Sequence, residues 1–448
     1  MILKSFRIAA FLLLGIVLST AICQAAPLKF PIGPSGTGRF GAYYAKLLYG
    51  SSWDTPWRVG PQADVVVRFD GFNYRLIFWR GTSYVPCWVN NNGKWYTDSS
   101  VRRASGDVKY DKLCTYAHAR IVESSDARVV VHWRYASLNS SGALINTDSI
   151  TNWNDWVDEF YIIYPDGMGV RRMKLFSSSL TTPIYCQQST VINEPNTTPE
   201  SNIALAAVTL VNLNGDSQTY SWATSWPASF SGPSNPAIQI INLNGTGSAN
   251  AFQIVQPTGA SFAPVARQTS GGNFNKLTDW PLIGTTDPAY DKPSYSPIST
   301  ITWSTSATEK GTKSWMMMTG LTTGSVADLA TIAKSWLQPA NLAVTAGSYT
   351  TTGFNQGDRA YGLACGAPGS PTALTIRLDG TSGSPIYNPA FVITGWGKRD
   401  CSLKINGVPV SRGPAFRYGY RKTAAFSDLI VWVQTQATTA TILEIIPT

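Results

Sequence analysis

Along most of the chain, apolar and polar positions alternate with the two-residue period of half-buried strands rather than the period of helices. Short runs rich in Val, Ile, Trp, Tyr and Phe lie at residues 65–70, 74–80, 85–90 and 94–97, then at 127–136, 157–164 and 170–176, and again at 203–213, 237–243, 252–255 and 298–303. Turn chemistry separates them: Asn91-Asn92-Gly93 and Pro165-Asp166-Gly167 both supply residues suited to tight reversals. Many short strands at this spacing predict an antiparallel sandwich. One segment breaks the pattern. Val326, Leu329, Ile332, Ala333, Trp336 and Leu337 recur at helical spacing, Ser325 and Asp328 form a capping box, and Pro339 stops the run. Beyond it, runs at 372–378, 390–395, 402–405 and 429–435 predict a second, smaller set of strands. Residues 262–297, rich in Gly, Thr, Pro and Asp, read as a long surface loop over the first domain.

The expected fold class is all-β. A large antiparallel β-sandwich spans residues 26–324, a helix and linker 325–340, and a small C-terminal β-sandwich 341–448. Residues 1–25 stand apart as a secretory signal peptide: Lys4 and Arg7 lead an apolar stretch at 8–18, and small residues follow, with cleavage expected after Ala25. Nothing later reaches the length of apolar sequence that spans a membrane. The expected location is secreted or periplasmic.

Composition narrows the function. Charged residues are only 14% of the chain and aromatics 12%, with 16 Trp and 20 Tyr, which argues for a packed chain with aromatic surface to spare. The net charge of +9 falls to +7 once Lys4 and Arg7 are removed, because no acid leaves with them. A moderate basic excess in an exported protein suits an acidic partner. No dense Lys/Arg run or nucleic-acid motif is present, so nucleic acid and membrane are not expected as partners. Only two His occur in the chain, which excludes most multi-histidine metal sites. No cofactor is expected, although a structural calcium ion held by aspartates and backbone oxygens is compatible with the sequence. Five Cys remain after residue 25, so at least one is unpaired; Cys365–Cys401 is the favoured bridge, with Cys87–Cys114 as a second.

Three segments carry candidate chemistry. The first is Tyr116-Ala-His-Ala-Arg120, a short turn, and then Arg128-Val-Val-Val-His-Trp-Arg134. Alternation along two strands puts Tyr116, His118, Arg120, Arg128, His132 and Arg134 on one face and apolar side chains on the other. A hairpin pairing His118 with His132 and Tyr116 with Arg134 matches both faces. Arg can hold and neutralise a carboxylate, and His or Tyr can move a proton beside it. The second is Phe78-Trp-Arg-Gly-Thr-Ser-Tyr84, where Gly81 would bend the strand end and leave Arg80, Tyr84 and the following Trp88 at a cleft mouth. The third joins Trp153 and Trp156 to Asp155, Asp158 and Glu159, aromatic rings beside carboxylates as in sugar sites.

The stretch from about residue 65 to 176 resembles the sandwich of exported bacterial polysaccharide lyases, on the residues Phe78-Trp-Arg-Gly-Thr-Ser-Tyr84, 127–135 and Tyr164-Pro-Asp-Gly-Met-Gly-Val-Arg171. A large sandwich, a helix and a small C-terminal β domain resemble the galactose-mutarotase-like members. The resemblance implies a His/Tyr pair with a neutralising Arg on a concave sheet, acting on an acidic polysaccharide by β-elimination. In that reading Arg80 and Arg134 hold the carboxylate, His118 or His132 takes the proton, and Tyr84 or Tyr116 protonates the leaving oxygen. Arg120, Trp88 and Trp156 add substrate contacts. Two alternatives stay open: a carbohydrate-binding or surface protein using the same face without chemistry, and a glycoside hydrolase using carboxylates such as Asp155 and Asp158.

Overall fold

The alternating runs become strands of two large sheets. A computed structural model describes residues 30–31, 38–49, 63–180, 183–268, 271–281, 293–303, 307–309 and 311–448. The expected signal peptide at 1–25 and residues 269–270 and 282–292 of the expected surface loop lie outside the described residues. The eight-stranded sheet runs in sequence order from Gly41–Ala45 to Trp95–Thr97 and continues with Gln187–Asn193, Ser294–Trp303 and Ala260–Pro264. The ten-stranded sheet leads from Ser217–Tyr220 through Asn250–Ile254 and Thr312–Thr322 to Met168–Phe176, Trp156–Ile163, Val129–Ala136 and the edge strand His118–Ser124. Their inner faces meet in one core that includes Val67, Phe78, Trp88, Val131, Trp133 and Tyr161. Phe78 and Tyr161, from opposite sheets, pack edge to face with centroids 5.3 Å apart. The Pro165-Asp166-Gly167 reversal forms as expected, with Gly167 at φ 79°, where a Cβ would strain the backbone.

The interior also holds charge. Arg171, fully buried, makes two hydrogen bonds to the Glu159 carboxylate (2.7 and 2.8 Å) and donates to the carbonyls of Asp98 and Ser99. The hydroxyls of Tyr135 and Tyr161 donate to the same carboxylate. Every partner faces inward, so Glu159 is part of the sandwich core and not of any surface site.

The C-terminal strands form two five-stranded sheets around Leu374, Phe391, Trp396 and Leu443. One pair, Ala360–Cys365 with Ala390–Thr394, is parallel. The fold is all-β, with one α-helix, Val326–Leu337, among the described residues. Its capping box forms as read: Ser325 accepts from the Asp328 amide and Asp328 accepts from the Ser325 amide. The described parts of the stretch at 262–297 are held more tightly than a surface loop. Phe274, Asn275 and Trp280 are buried, and the strand Ser294–Trp303 begins before its end, because its apolar residues find the open edge of the core. The expected disulfides do not form. Cys87, Cys114, Cys186, Cys365 and Cys401 are all buried free thiols, and burial, helped by the Asp400 charge and opposed by Arg412, pushes the Cys401 thiol up to about 12. A sandwich with this much buried apolar surface needs no staple.

The outer face of the ten-stranded sheet decides where a site can be. The apolar side of the helix, with Leu329, Ile332, Ala333 and Trp336, packs on Val170, Ile238, Phe252 and Met318 of that face. The C-terminal domain covers Ala127, Ile162 and Tyr164 with Ala360, Ala390, Val392, Ile430 and Trp432. Between these two covers a strip of the sheet face stays open.

Candidate functional site

The open strip is a grid set by strand register. One row runs across five strands as His118, Arg134, Asp158, Lys174 and Ser314. The next row is Arg120, His132, Phe160, Arg172 and Met316. A third contains Ala136, Trp156, Phe176 and Thr312. Neighbouring side chains in a row sit about 4.5–5.5 Å apart at Cβ, close enough to act together.

The hairpin brings both histidines to this face, but not opposite each other. His118 pairs with Arg134 and Arg120 with His132, two residues away from the expected register. The reversal at Ser125–Arg128 sets an odd register sum, pairing Ser124 with Val129, and a bulge between Ile121 and Glu123 restores an even one. Parity survives, so the polar faces still match, while the partners slide. Arg128 leaves the face: it is buried and holds Glu123 with two hydrogen bonds of 2.9 and 2.8 Å.

The His118 side chain is exposed and makes no hydrogen bond within the described residues. His132 is buried and saturated. Its Nε2 lies 2.6 Å from Asp158 Oδ1, and Arg120 Nε donates to its Nδ1 at 3.1 Å. An Arg can only donate, so Nδ1 accepts and the ring proton sits on Nε2, directed at Asp158. Phe160 stacks on the ring with centroids 4.4 Å apart. Arg134 donates to both Asp158 oxygens (3.2 and 2.9 Å) and lies over Trp156, 4.9 Å from its centroid. Tyr116 meets Trp156 edge on, and exposed Trp153 flanks it. Burial acts to raise the Asp158 pKa, but the His132 hydrogen bond and the Arg134 charge outweigh it and hold the carboxyl below its ordinary value. Tyr116, His118, Arg120, His132, Arg134, Trp156 and Asp158 therefore belong to one surface.

The structure does not bring Arg80, Tyr84 and Trp88 there. All three are buried in the eight-stranded sheet and the turn beside it. The Arg80–Thr82 turn is tight, yet the left-handed residues are Ser83 (φ 53°) and Tyr84 (φ 60°), not Gly81, so the chain folds Tyr84 inward, where its hydroxyl donates to the Ala63 carbonyl. Burial pushes the Tyr84 phenol far above its usual range, as expected for a core tyrosine. Arg80 donates to the Leu113 carbonyl, and Trp88 stacks on Phe69. Asp155 is also inside, with no exposure, 2.5 Å from Arg103 Nε. Sequence reasoning missed Arg172, Lys174, Phe160 and Phe176. Alternation along Met168–Phe176 could have placed Arg172, Lys174 and Phe176 on one face, but not said that the face was open.

No protein-family model and no curated protein matches this chain. Among solved structures, an alpha-mannosidase from Enterococcus faecalis V583 is similar at a TM-score of 0.33 and 9% sequence identity, over 83% of this chain and 42% of that one. The chain spans less than half the length of that structure, and a likeness this distant carries no argument about chemistry.

Proposed function

We propose that the open strip binds an acidic polysaccharide of uronic acid type and cleaves it by β-elimination, outside the cytoplasm. The observation that carries this reading is His118: an exposed imidazole with no hydrogen-bond partner among the described residues, in register with an arginine that Asp158 and Trp156 hold in place. Arg134, with Arg120 beside it, neutralises the uronate carboxylate, which acidifies the proton on C5. His118 takes that proton, the C5 electron pair forms the new double bond, and the C4–O bond breaks with its electron pair on oxygen. Tyr116 protonates that oxygen and recovers its proton from solvent. Trp153 and Trp156 offer rings on which sugar faces can stack. His132 has both ring nitrogens engaged and serves to position Asp158 and Arg120. A paired-carboxylate hydrolase would need a second acid next to Asp158, and Asp155 is committed to Arg103 in the interior.

The test is incubation with uronic polymers, following absorbance at the ultraviolet edge together with reducing ends. Unsaturated product supports elimination. Reducing ends without absorbance would replace it with hydrolysis, and binding without either product would leave a glycan-binding surface.

A further inference from the structure

The strip does not end at Asp158. Beyond it, Phe160, Arg172, Lys174 and Phe176 line a groove of about 510 Å³, closed on the far side by Trp336 of the helix and Gln356 of the C-terminal domain. That volume falls within the range of about 300–1,000 Å³ typical of small-molecule sites. Trp303 enters it from the last residue of a strand of the other sheet, and exposed Gln256 and Thr258 form its rim. The groove joins the first row of the grid at Asp158 and Lys174. From the His118 strand to the Thr312–Thr322 strand there are four interstrand steps, about 19 Å at the usual spacing. That length accommodates several sugar rings laid across the strands.

We infer that this groove is a distal subsite for another acidic sugar unit of the same polymer, bound several rings away from the reacting bond. The inference rests on the reading of the His118 strip as an acidic-glycan site. Three features select this occupant. The cations Arg172, exposed and 3.5 Å from Asp358, and Lys174 lie on the floor, where a uronate carboxylate would meet them. Aromatic rings at Trp303, Phe160 and Phe176 give the flat apolar faces on which a pyranose packs. Gln256 and Gln356 add amide donors and acceptors for hydroxyls. A separate small molecule would not require the groove to open in register onto the His118 row, whereas a chain that crosses the strands does.

The experiment uses the full protein and oligogalacturonates from the disaccharide to the octasaccharide, with affinity measured by calorimetry. The unaltered protein should bind the long oligomers more tightly than the disaccharide. Trp303→Ala should shrink that long-over-short ratio by about tenfold, the loss equivalent to one good contact. Trp303 also touches the sandwich core, so Gln256→Glu, on the exposed rim, gives a second reading: its added negative charge should shrink the ratio and the effect should fade with salt. A ratio left unchanged by both substitutions, or no length advantage in the unaltered protein, would overturn the groove alone. No binding of any oligogalacturonate would overturn the His118 site together with the groove.

Discussion

His118 and His132 show how two identical side chains on one face are given different work by their partners. His118 has solvent access and ring nitrogens that make no hydrogen bond among the described residues; His132 is held between Asp158, Arg120 and Phe160. Replacing His118 with Ala should lower turnover of a uronic polymer by about 100- to 10,000-fold while leaving affinity nearly intact, because only a proton-transfer group is lost. Arg134→Ala should weaken affinity and turnover together, checked by calorimetry and initial rates. Asp158 makes a pH prediction. Its folded pKa is depressed, so the stability from its contacts is fully present above the ordinary carboxylate value and is lost as pH falls through the lower folded value. The melting temperature of Asp158→Asn should therefore lie below that of the unaltered protein at neutral pH, with the gap closing below about pH 4.

At the scale of elements, the strands that present the site also bury a charged layer behind it. Glu159 lies between Asp158 and Phe160 in sequence but points the other way, into Arg171, Tyr135 and Tyr161. Arg171→Met would leave the Glu159 carboxylate buried without its cation, a loss of about 3–5 kcal/mol. Denaturant unfolding should show it as a lower midpoint with little change in slope. The helix contributes differently: it forms one wall of the groove, and its first turn depends on the Ser325–Asp328 box. Ser325→Ala should cost about 1 kcal/mol by the same measurement. The hairpin register was only half legible. Alternation fixed which side chains share a face, but the bulge that chose their partners leaves no mark in the hydrophobic pattern, since Val122, the inserted residue, is as apolar as Ile121 before it and yet exposed.

For the whole molecule, ion pairs among the described residues tie the sandwich to the C-terminal domain, three with the acid on the sandwich and one, Arg172–Asp358 at 3.5 Å, the other way round. Asp70, Asp126 and Asp166 of the sandwich meet Arg417, Arg412 and Arg359 of the C-terminal domain. The Asp166–Arg359 pair is almost fully buried and makes two hydrogen bonds, with Asn388 adding a third to Asp166. The exposed pairs contribute little, but this one is costly to break, because the surviving charge would remain out of water. Arg359→Ala should make the chain near residue 340 more susceptible to limited proteolysis than in the unaltered protein, with a C-terminal fragment appearing sooner on a time course. The same substitution should loosen the groove wall that Gln356 provides.

Period-two alternation, turn residues and one capped helical run determined the fold class, most strand positions and the face of the hairpin that carries Tyr116, His118, Arg120, His132 and Arg134. Those are local properties: a strand's faces follow from parity and a helix start from side chains three residues apart. Exposure is not local. Whether Arg80, Tyr84 and Trp88 lined a cleft or filled a core depended on which sheet lay against them, and the left-handed turn at Ser83 and Tyr84 put them inside. Five thiols compatible with bridges are free and buried, because a core of this size holds them without a staple. The open strip exists because the helix and the C-terminal domain, far along the chain, cover the rest of the sheet face, and Trp303 joins its groove from a strand of the opposite sheet. Contacts between residues so distant in sequence are decided by packing, which no window of the sequence contains.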